Sequence, residues 1–143
     1  MSSQRQDAHL GYLLKHAQLR FFEIGAVALA PLGISGREAA VLRSIDAGPP
    51  VSQGEVARAM SVDRTTMVAL IDDLQLKGLL QRRQDPDDRR RNVVELTDAG
   101  RATVRQAAAV AEQAERDFLA PLPAAEAAQF KKTLRALLTD GEP

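Results

Sequence analysis

The sequence predicts a mainly α-helical fold that carries one small β-hairpin. Apolar residues recur at helical spacing through most of the 143-residue chain. The pattern changes between residues 79 and 96, where two short segments flank a turn-rich, charged connection. Capping residues and Pro or Gly breaks divide the helical part of the chain into separate segments.

The composition allows a buried core and excludes cysteine chemistry. Hydrophobic residues make up 45% of the chain and charged residues 27%, as in a folded domain. Aromatic residues reach only 3%, so the core is expected to consist of Leu, Ala, Val and Ile. The chain has no Cys, which rules out disulfides, thiolate metal sites and a thiol-based redox switch.

No segment has the pattern of a signal peptide or a membrane span. The N-terminal residues contain no long uninterrupted apolar stretch. No apolar run elsewhere approaches the roughly 20 residues that cross a bilayer. We therefore expect a cytoplasmic protein that does not associate with membranes.

Long amphipathic helices are predicted towards both ends of the chain. The first covers residues 8–29, with an apolar stripe of Leu10, Leu13, Leu14, Ala17, Phe21, Ile24 and Ala28. Thr97 caps an alanine-rich helix over residues 98–119, and a last helix follows over residues 124–139. A middle region of about 60 residues cannot cover all of these stripes, which indicates that they meet a second copy of the chain.

Two capping boxes predict the starts of short helices in the middle of the chain. Ser35 with Glu38 opens one helix, and Ser52 with Glu55 opens the next. A sharp break at residues 61–63 then leads into a fourth helix, whose buried face is predicted to contain Met67, Leu70, Ile71 and Leu74.

A hairpin is predicted directly after the fourth helix. Gly78 is placed to end that helix in the left-handed conformation. Residues 79–83 and 92–96 are short enough to be strands, and the charged connection between them spans residues 84–91. Because no long repeat or linker separates a second region, residues 1–143 are interpreted as a single domain.

The order helix, turn, helix, hairpin is suited to DNA binding. Net charge is zero, but residues 64–91 carry seven Lys or Arg against five Asp or Glu. The counts are six and six in residues 1–63, and six against eight in residues 92–143. A neutral chain can bind DNA when its basic groups gather on one face.

The fourth helix begins with polar residues that suit a reader of the major groove, namely Asp63, Arg64, Thr65 and Thr66. Arg64 can bind guanine or phosphate, and each Thr can hydrogen-bond a base or contact a thymine methyl. Three roles are open to Asp63: capping the helix, orienting Arg64, or accepting a bond from a cytosine amine. Ser52 and Gln53, at the start of the preceding helix, are further candidate DNA contacts. The alternative is an ordinary solvated surface.

The hairpin tip carries a second basic cluster, consisting of Arg89, Arg90 and Arg91. Arg suits the narrow, electronegative minor groove, and a thin tip can carry it there. Asp88 is expected to brace the tip through Arg90 or through N–H groups of the turn. Arg82 and Arg83, at the base of the hairpin, are weaker candidates for phosphate contacts. The alternative is a solvated charged turn.

Residues 85–100 resemble the wing signature of the MarR family of bacterial regulators. That signature is Asp-x-Arg, a short strand, Leu-Thr and a Gly, and the matching residues are Asp88, Arg90, Leu96, Thr97 and Gly100. Residues 62–66 and 74–79 also resemble the recognition helix of the family and its exit. Helix order and helix length match over nearly the whole chain.

The resemblance implies a homodimer formed by residues 8–33 and 98–139, with a winged helix-turn-helix DNA-binding lobe at residues 35–97. Two such lobes would bind double-stranded operator DNA whose pseudo-palindromic half-sites lie about one helical turn apart. Members of the family are commonly released from DNA by small phenolic or carboxylate ligands, and repression is their usual mode.

The resemblance also implies an effector pocket between the dimer helices and the DNA-binding lobe. Four candidate residues share one face of the first helix: His9, Tyr12, His16 and Arg20. Arg20 could clamp a carboxylate, and His16 could bind a phenol oxygen or change charge near neutral pH. Arg43, on the second helix, is a candidate for the same space. The alternative is that these are surface or dimer-interface groups, with Arg20 paired to Glu23.

Two other classes of function are disfavoured by the sequence. A winged-helix module that binds another protein instead of DNA should lack the basic tip or carry a bulky apolar recognition face, and neither is seen. An enzyme should carry a metal-ligand cluster, a Gly-rich phosphate loop or a nucleophile with its base, and no such pattern is present. We therefore expect no catalytic residue, no metal and no cofactor.

Overall fold

The computed structural model describes residues 8–139 and confirms the predicted fold class. The elements are α1 Leu10–Leu29, a 3₁₀ turn Ala30–Leu32, α2 Gly36–Asp46, α3 Gln53–Ala59, α4 Arg64–Leu76, β1 Leu80–Gln84, β2 Asn92–Leu96, α5 Asp98–Leu119 and α6 Ala124–Thr139. The two strands pair antiparallel, with Arg82 opposite Val94. Strand β1 begins one residue later than predicted because the Leu79 N–H still donates to the Leu74 carbonyl and closes α4 (3.0 Å).

Residues Gly25–Ala111 form one compact unit, and residues 8–24 and 112–139 belong to a second. The core of the first unit draws on the helix-turn-helix and on both strands, and its most buried side chains are Val41, Leu42, Val56, Met67, Ile71, Leu74, Leu80, Val93 and Val94. Leu70, predicted on the buried face of α4, is only partly buried. Each fully buried aliphatic side chain contributes roughly 1.5–3 kcal/mol, and together they hold the helices and the hairpin in one arrangement.

Both predicted capping boxes are present. The Ser35 hydroxyl accepts from the Glu38 N–H (3.1 Å), and the Glu38 carboxylate accepts from the Ser35 N–H (3.0 Å). Ser52 and Glu55 form the same reciprocal pair at 3.2 and 3.4 Å. These bonds satisfy N–H groups that a helix start leaves free, so they fix where α2 and α3 begin.

Glu38 also forms an ion pair that connects α2 to the end of α4. The Lys77 Nζ lies 2.9 and 2.8 Å from the two carboxylate oxygens, and Glu38 is buried. Burial raises the pKa of the Glu38 carboxyl, but bonds from Lys77 and from the Ser35 N–H outweigh it and hold the pKa below its ordinary value. The carboxylate is therefore charged at neutral pH and secures the end of α4.

The end of α4 and the beginning of α5 are in close contact. Gly78 has φ +74° and ends α4 in the predicted left-handed conformation. The Thr97 hydroxyl donates to the Gly78 carbonyl (2.6 Å) and accepts from the Gly100 N–H (3.0 Å), so Thr97 caps α5 as predicted. A Cβ at Gly100 would lie 1.9 Å from the Leu79 carbonyl oxygen, so only glycine fits there.

Replacing Gly100 with Ala should destabilise the protein by about 1–3 kcal/mol, because the added methyl group would clash with the Leu79 carbonyl oxygen. Urea unfolding followed by circular dichroism measures this change. Gly36→Ala is the matched control, since a Cβ at Gly36 meets nothing within 4 Å. Equal stability of the two variants would contradict the close approach at Gly100.

The second compact unit contains the first part of α1, the last part of α5 and all of α6. Phe21 and Phe118 pack edge to face with ring centroids 5.4 Å apart, and Lys131 pairs with Glu115 at 2.9 Å. Many large apolar side chains of this unit are exposed on the single chain, including Leu10, Leu13, Leu14, Phe22, Leu137 and Leu138.

Within residues 8–139, no single helix is long and apolar enough to cross a membrane. The segments Leu10–Leu32 and Gly36–Asp46 meet that requirement only when taken together, across a bend of 73°.

Candidate nucleic-acid interface

A short turn connects α3 to α4, the helix whose first turn carries the predicted major-groove residues. Ser61 adopts φ +53°, a left-handed conformation that few residues other than glycine adopt. The N–H groups of Ser61 and Val62 donate to the carbonyls of Arg58 (3.2 Å) and Ala57 (3.0 Å), which closes α3. The chain therefore changes direction within three residues and begins α4 at Arg64.

Asp63 caps α4, which is the first of the three roles open to it. Its carboxylate accepts from the Thr66 N–H (2.9 Å) and from the Thr66 hydroxyl (2.6 Å). The bonds from the Thr66 hydroxyl and from its N–H hold the pKa of the Asp63 carboxyl below its ordinary value. Thr66, predicted to read bases, donates its hydroxyl proton to this cap, which leaves its hydroxyl oxygen as an acceptor and its methyl group free.

Arg64 and Thr65 are exposed, and neither side chain hydrogen-bonds to another residue in the range 8–139. Arg64 borders a surface groove of about 350 Å³, which is lined by Ser52, Gln53, Gly54, Ala57, Arg64, Met67 and Asn92. The groove brings together three predicted DNA contacts, Ser52, Gln53 and Arg64. Asn92, the first residue of β2, was missed by sequence reasoning because no motif singles it out.

The guanidinium of Arg82 binds protein side chains, and its predicted phosphate contact stays a prediction. It donates to Asp72 (2.6 Å) and Gln75 (2.6 Å) on α4 and to Gln53 on α3 (3.1 and 3.3 Å). The predicted DNA contact was based on residue type alone, which does not reveal that two helices bring acceptors to this side chain. Arg83 likewise pairs with Glu95 across the hairpin.

Turn hydrogen bonds give the hairpin tip its shape. The Asp88 carboxylate accepts from the Arg90 N–H (3.0 Å), and its carbonyl accepts from the Arg91 N–H (3.0 Å). The predicted brace at Asp88 therefore acts through N–H groups of the turn and not through the Arg90 guanidinium. Asp85 adds a second brace, since its carboxylate accepts from the Asp87 N–H (2.9 Å).

The guanidinium of Arg91, a predicted DNA contact, connects the hairpin tip to α3. It pairs with the buried Asp85 (2.9 Å) and with Glu55, the capping-box residue of α3. The bond from the Asp87 N–H, together with Arg91, holds the pKa of the Asp85 carboxyl below its ordinary value. Sequence reasoning missed Asp85 and Glu55 as partners because they lie 6 and 36 residues from Arg91.

Arg89 and Arg90 remain exposed at the tip, and their guanidinium groups have no partner in the described part of the chain. Their hydrogen bonds involve the backbone: the Arg89 carbonyl accepts from Gln84 (3.3 Å), and the Arg90 N–H donates to Asp88 (3.0 Å). Together with Arg64, these side chains form the basic groups that this face can offer to phosphate or base edges.

The predicted effector-binding residues lie in two different compact units. His9 directly precedes α1, which carries Tyr12, His16 and Arg20, and α2 carries Arg43. The Tyr12 and His16 rings lie 4.0 Å apart, tilted by 34°. Within residues 8–139, Arg20 is exposed and forms no ion pair with Glu23. A shared pocket stays a prediction.

Within residues 8–139, no three His, Cys, Asp or Glu side chains are grouped to hold a metal ion.

The chain is similar to known transcriptional regulators. The MarR family model matches residues 32–91. The HTH-type transcriptional repressor Rv2887 of Mycobacterium tuberculosis is 34% identical over 141 residues, which cover 94% of this chain and 96% of the relative. A structure of Rv2887 with DNA has a TM-score of 0.79 at 32% identity, and covers 91% of this chain and 98% of its own. Its structure with salicylic acid has a TM-score of 0.76 at 33% identity, covering 91% and 96%.

The chain is a DNA-binding transcriptional regulator of the winged helix-turn-helix class, as its fold, its exposed arginines and its relatives together indicate. The chain belongs to the MarR family. Helix α4 is its recognition helix, and the β1–β2 hairpin is its wing.

Replacing Arg90 with Ala should weaken DNA binding while the protein remains folded, because this side chain has no intramolecular partner to lose. Loss of one phosphate contact should lower the slope of log Kd against log salt by about one. Fluorescence anisotropy at several salt concentrations measures the slope, and thermal melting checks the fold. Arg105→Ala, which removes another exposed arginine from the same unit, is the control. Identical slopes for the two variants would contradict the wing assignment.

Proposed function

We propose that this MarR-family protein is a homodimeric repressor that binds a pseudo-palindromic operator and leaves it when a small aromatic or carboxylate ligand binds. The observation that carries the proposal is the exposed pair Arg64–Thr65 on the recognition helix, in the same compact unit as a wing with unpaired Arg89 and Arg90 side chains. The relative Rv2887 is named a repressor and has been solved with DNA and with salicylic acid.

The recognition helix reads the major groove through its first turn. Arg64 binds guanine or phosphate, and Thr65 contacts a base edge or a thymine methyl. Asp63 supports this reading indirectly, because its cap fixes the direction in which Arg64 and Thr65 leave the helix. The wing adds Arg90 to the minor groove, where a narrow groove concentrates negative potential. Sequence is thus read mainly by α4, and the wing contributes position and affinity.

The dimer forms through the long helices at the two ends of the chain. Leu10 and Leu138 are 68% and 86% exposed on the single chain, and exposed apolar surface of this extent marks a contact with another molecule. Burial against a second copy removes this surface from water and places two recognition helices on one duplex. The half-sites of the operator are then separated by about one helical turn.

The effector is an aromatic carboxylate or phenol held by residues of α1. Arg20 is exposed and without an ion-pair partner in the described chain, so it is available to bind a carboxylate. The neighbouring Tyr12 and His16 rings supply an aromatic surface and hydrogen-bonding groups. Arg43 is a further ligand contact. Binding acts by changing the spacing of the two DNA-binding lobes, which then no longer match the two half-sites.

The protein works in the cytoplasm, where its operator is accessible, and it catalyses no reaction. Its relatives are regulators by name, which supports a binding function.

Arg64→Ala should weaken binding to the operator by about 1–3 kcal/mol, because the major-groove contact is lost. A gel-shift titration on DNA upstream of the protein's own gene measures this, with a scrambled duplex alongside. The control Arg105→Ala removes the same charge from α5 and should bind as the parent does. A parent protein that does not prefer its upstream DNA would favour a module that binds another protein instead.

Arg20→Ala should abolish the response to effector and leave operator affinity unchanged, because the residue lies on α1, outside the compact unit that carries the DNA-reading face. The assay is release of a labelled operator by a panel of aromatic carboxylates and phenols, including salicylic acid. Lys15→Ala, another exposed basic residue on α1, is the matched control. Normal release from the Arg20 variant would remove this residue from the effector site.

A further inference from the structure

We infer that Arg82 is a positioning residue that holds the recognition helix, α3 and the wing in the geometry needed for sequence-specific reading. This role rests on the proposed function, because it concerns how the DNA-reading face is assembled. It assigns specificity to a residue whose charge suggests a simple phosphate contact.

The guanidinium of Arg82 is almost fully used by protein acceptors. Nη1 donates to Gln75 Oε1 (2.6 Å), and Nη2 donates to Asp72 Oδ1 (2.6 Å) and to Gln53 Oε1 (3.1 Å). Nε donates to the same Gln53 oxygen (3.3 Å). Four of the five N–H donors of the guanidinium are therefore occupied, which leaves little capacity for a phosphate.

The acceptors of Arg82 lie on both helices of the helix-turn-helix. Gln53 is the first residue of α3, and Asp72 and Gln75 lie in the second half of α4. Arg82 itself lies on β1 opposite Val94, whose N–H donates to the Val51 carbonyl (2.9 Å). The backbone bond at Val51 attaches the hairpin to the segment before α3, and the Arg82 side chain adds bonds from the hairpin to α3 and α4.

The exposure of the Arg82–Asp72 ion pair indicates a role in positioning and not in stability. The Arg82 side chain is 33% exposed and that of Asp72 is 53% exposed. Ion pairs this open to water contribute little to the free energy of folding. The bonds still restrict the rotation and tilt of α4 relative to the wing, and hydrogen bonding to base edges depends steeply on that geometry.

Asp72 gives this arrangement a second consequence. It is an exposed carboxylate on the recognition helix, and unpaired it would repel the phosphates on either side of the groove. Arg82 neutralises it, so the charge of Arg82 assists binding without touching DNA.

This role depends on the planar guanidinium group of arginine, so Arg82→Lys is the informative variant. Lysine keeps the charge, but its single ammonium lacks the rigid, planar set of donors that reaches Gln53, Asp72 and Gln75 at once. We expect Arg82→Lys to lose about tenfold in affinity for the operator, while affinity for a scrambled duplex and the salt slope stay unchanged. The melting temperature should also be unchanged.

The experiment is fluorescence anisotropy with operator and scrambled duplexes at several salt concentrations, with melting curves for each variant. Arg105→Lys makes the same chemical change on exposed α5 and should behave as the parent does. Gln75→Ala removes one acceptor while keeping every positive charge, so it should lower the ratio of operator to scrambled affinity in the same direction as Arg82→Lys.

A direct phosphate contact predicts a different result. In that case Arg82→Gln would weaken both duplexes equally and lower the salt slope by about one, whereas Arg82→Lys would bind normally. That outcome, or a loss of operator affinity that appears only with a lower melting temperature, would overturn the positioning role. A parent protein that does not discriminate between the duplexes would overturn the proposed function itself, and this role of Arg82 with it.

Discussion

The arrangement of the helix-turn-helix and the hairpin depends on the fixation of α4 at both of its ends. At the N-terminal end, the Asp63 carboxylate accepts from the first-turn N–H of Thr66 and caps the helix. At the C-terminal end, Gly78 reverses the chain and the Thr97 hydroxyl binds its carbonyl. The same contact that ends the recognition helix therefore begins α5, the long helix that continues towards the second compact unit.

The arginines of the middle segment have two different tasks. Arg82 and Arg91 are bound by carboxylates and amides of α3, α4 and the wing, so they hold the DNA-binding lobe together. Arg64 and Arg90 extend from the surface without a partner in the described chain. This division shows how a chain of zero net charge keeps unpaired basic groups: Asp72, Asp85 and Glu55 neutralise Arg82 and Arg91, whereas Arg64 and Arg90 form no ion pair in the described chain.

Features governed by neighbouring residues could be predicted well. The capping box at Ser35, the left-handed turn at Gly78 and the Thr97 cap each need residues only a few positions apart, so their sequence patterns are reliable. The site was predicted less completely. Asp63 had three open roles, and the row of arginines at residues 89–91 carries no information about the intramolecular partner of each one.

The sequence by itself determined the order of the helices, their caps, the wing and the family, because these follow from apolar periodicity and from hydrogen bonds between near neighbours. The tertiary structure decided which basic groups are free. Glu38 meets Lys77, and Gln53 meets Arg82, only after packing brings residues 39 and 29 positions apart into contact. Because each partner lies far away along the chain, nothing in the local sequence indicates which charged groups are paired within the protein.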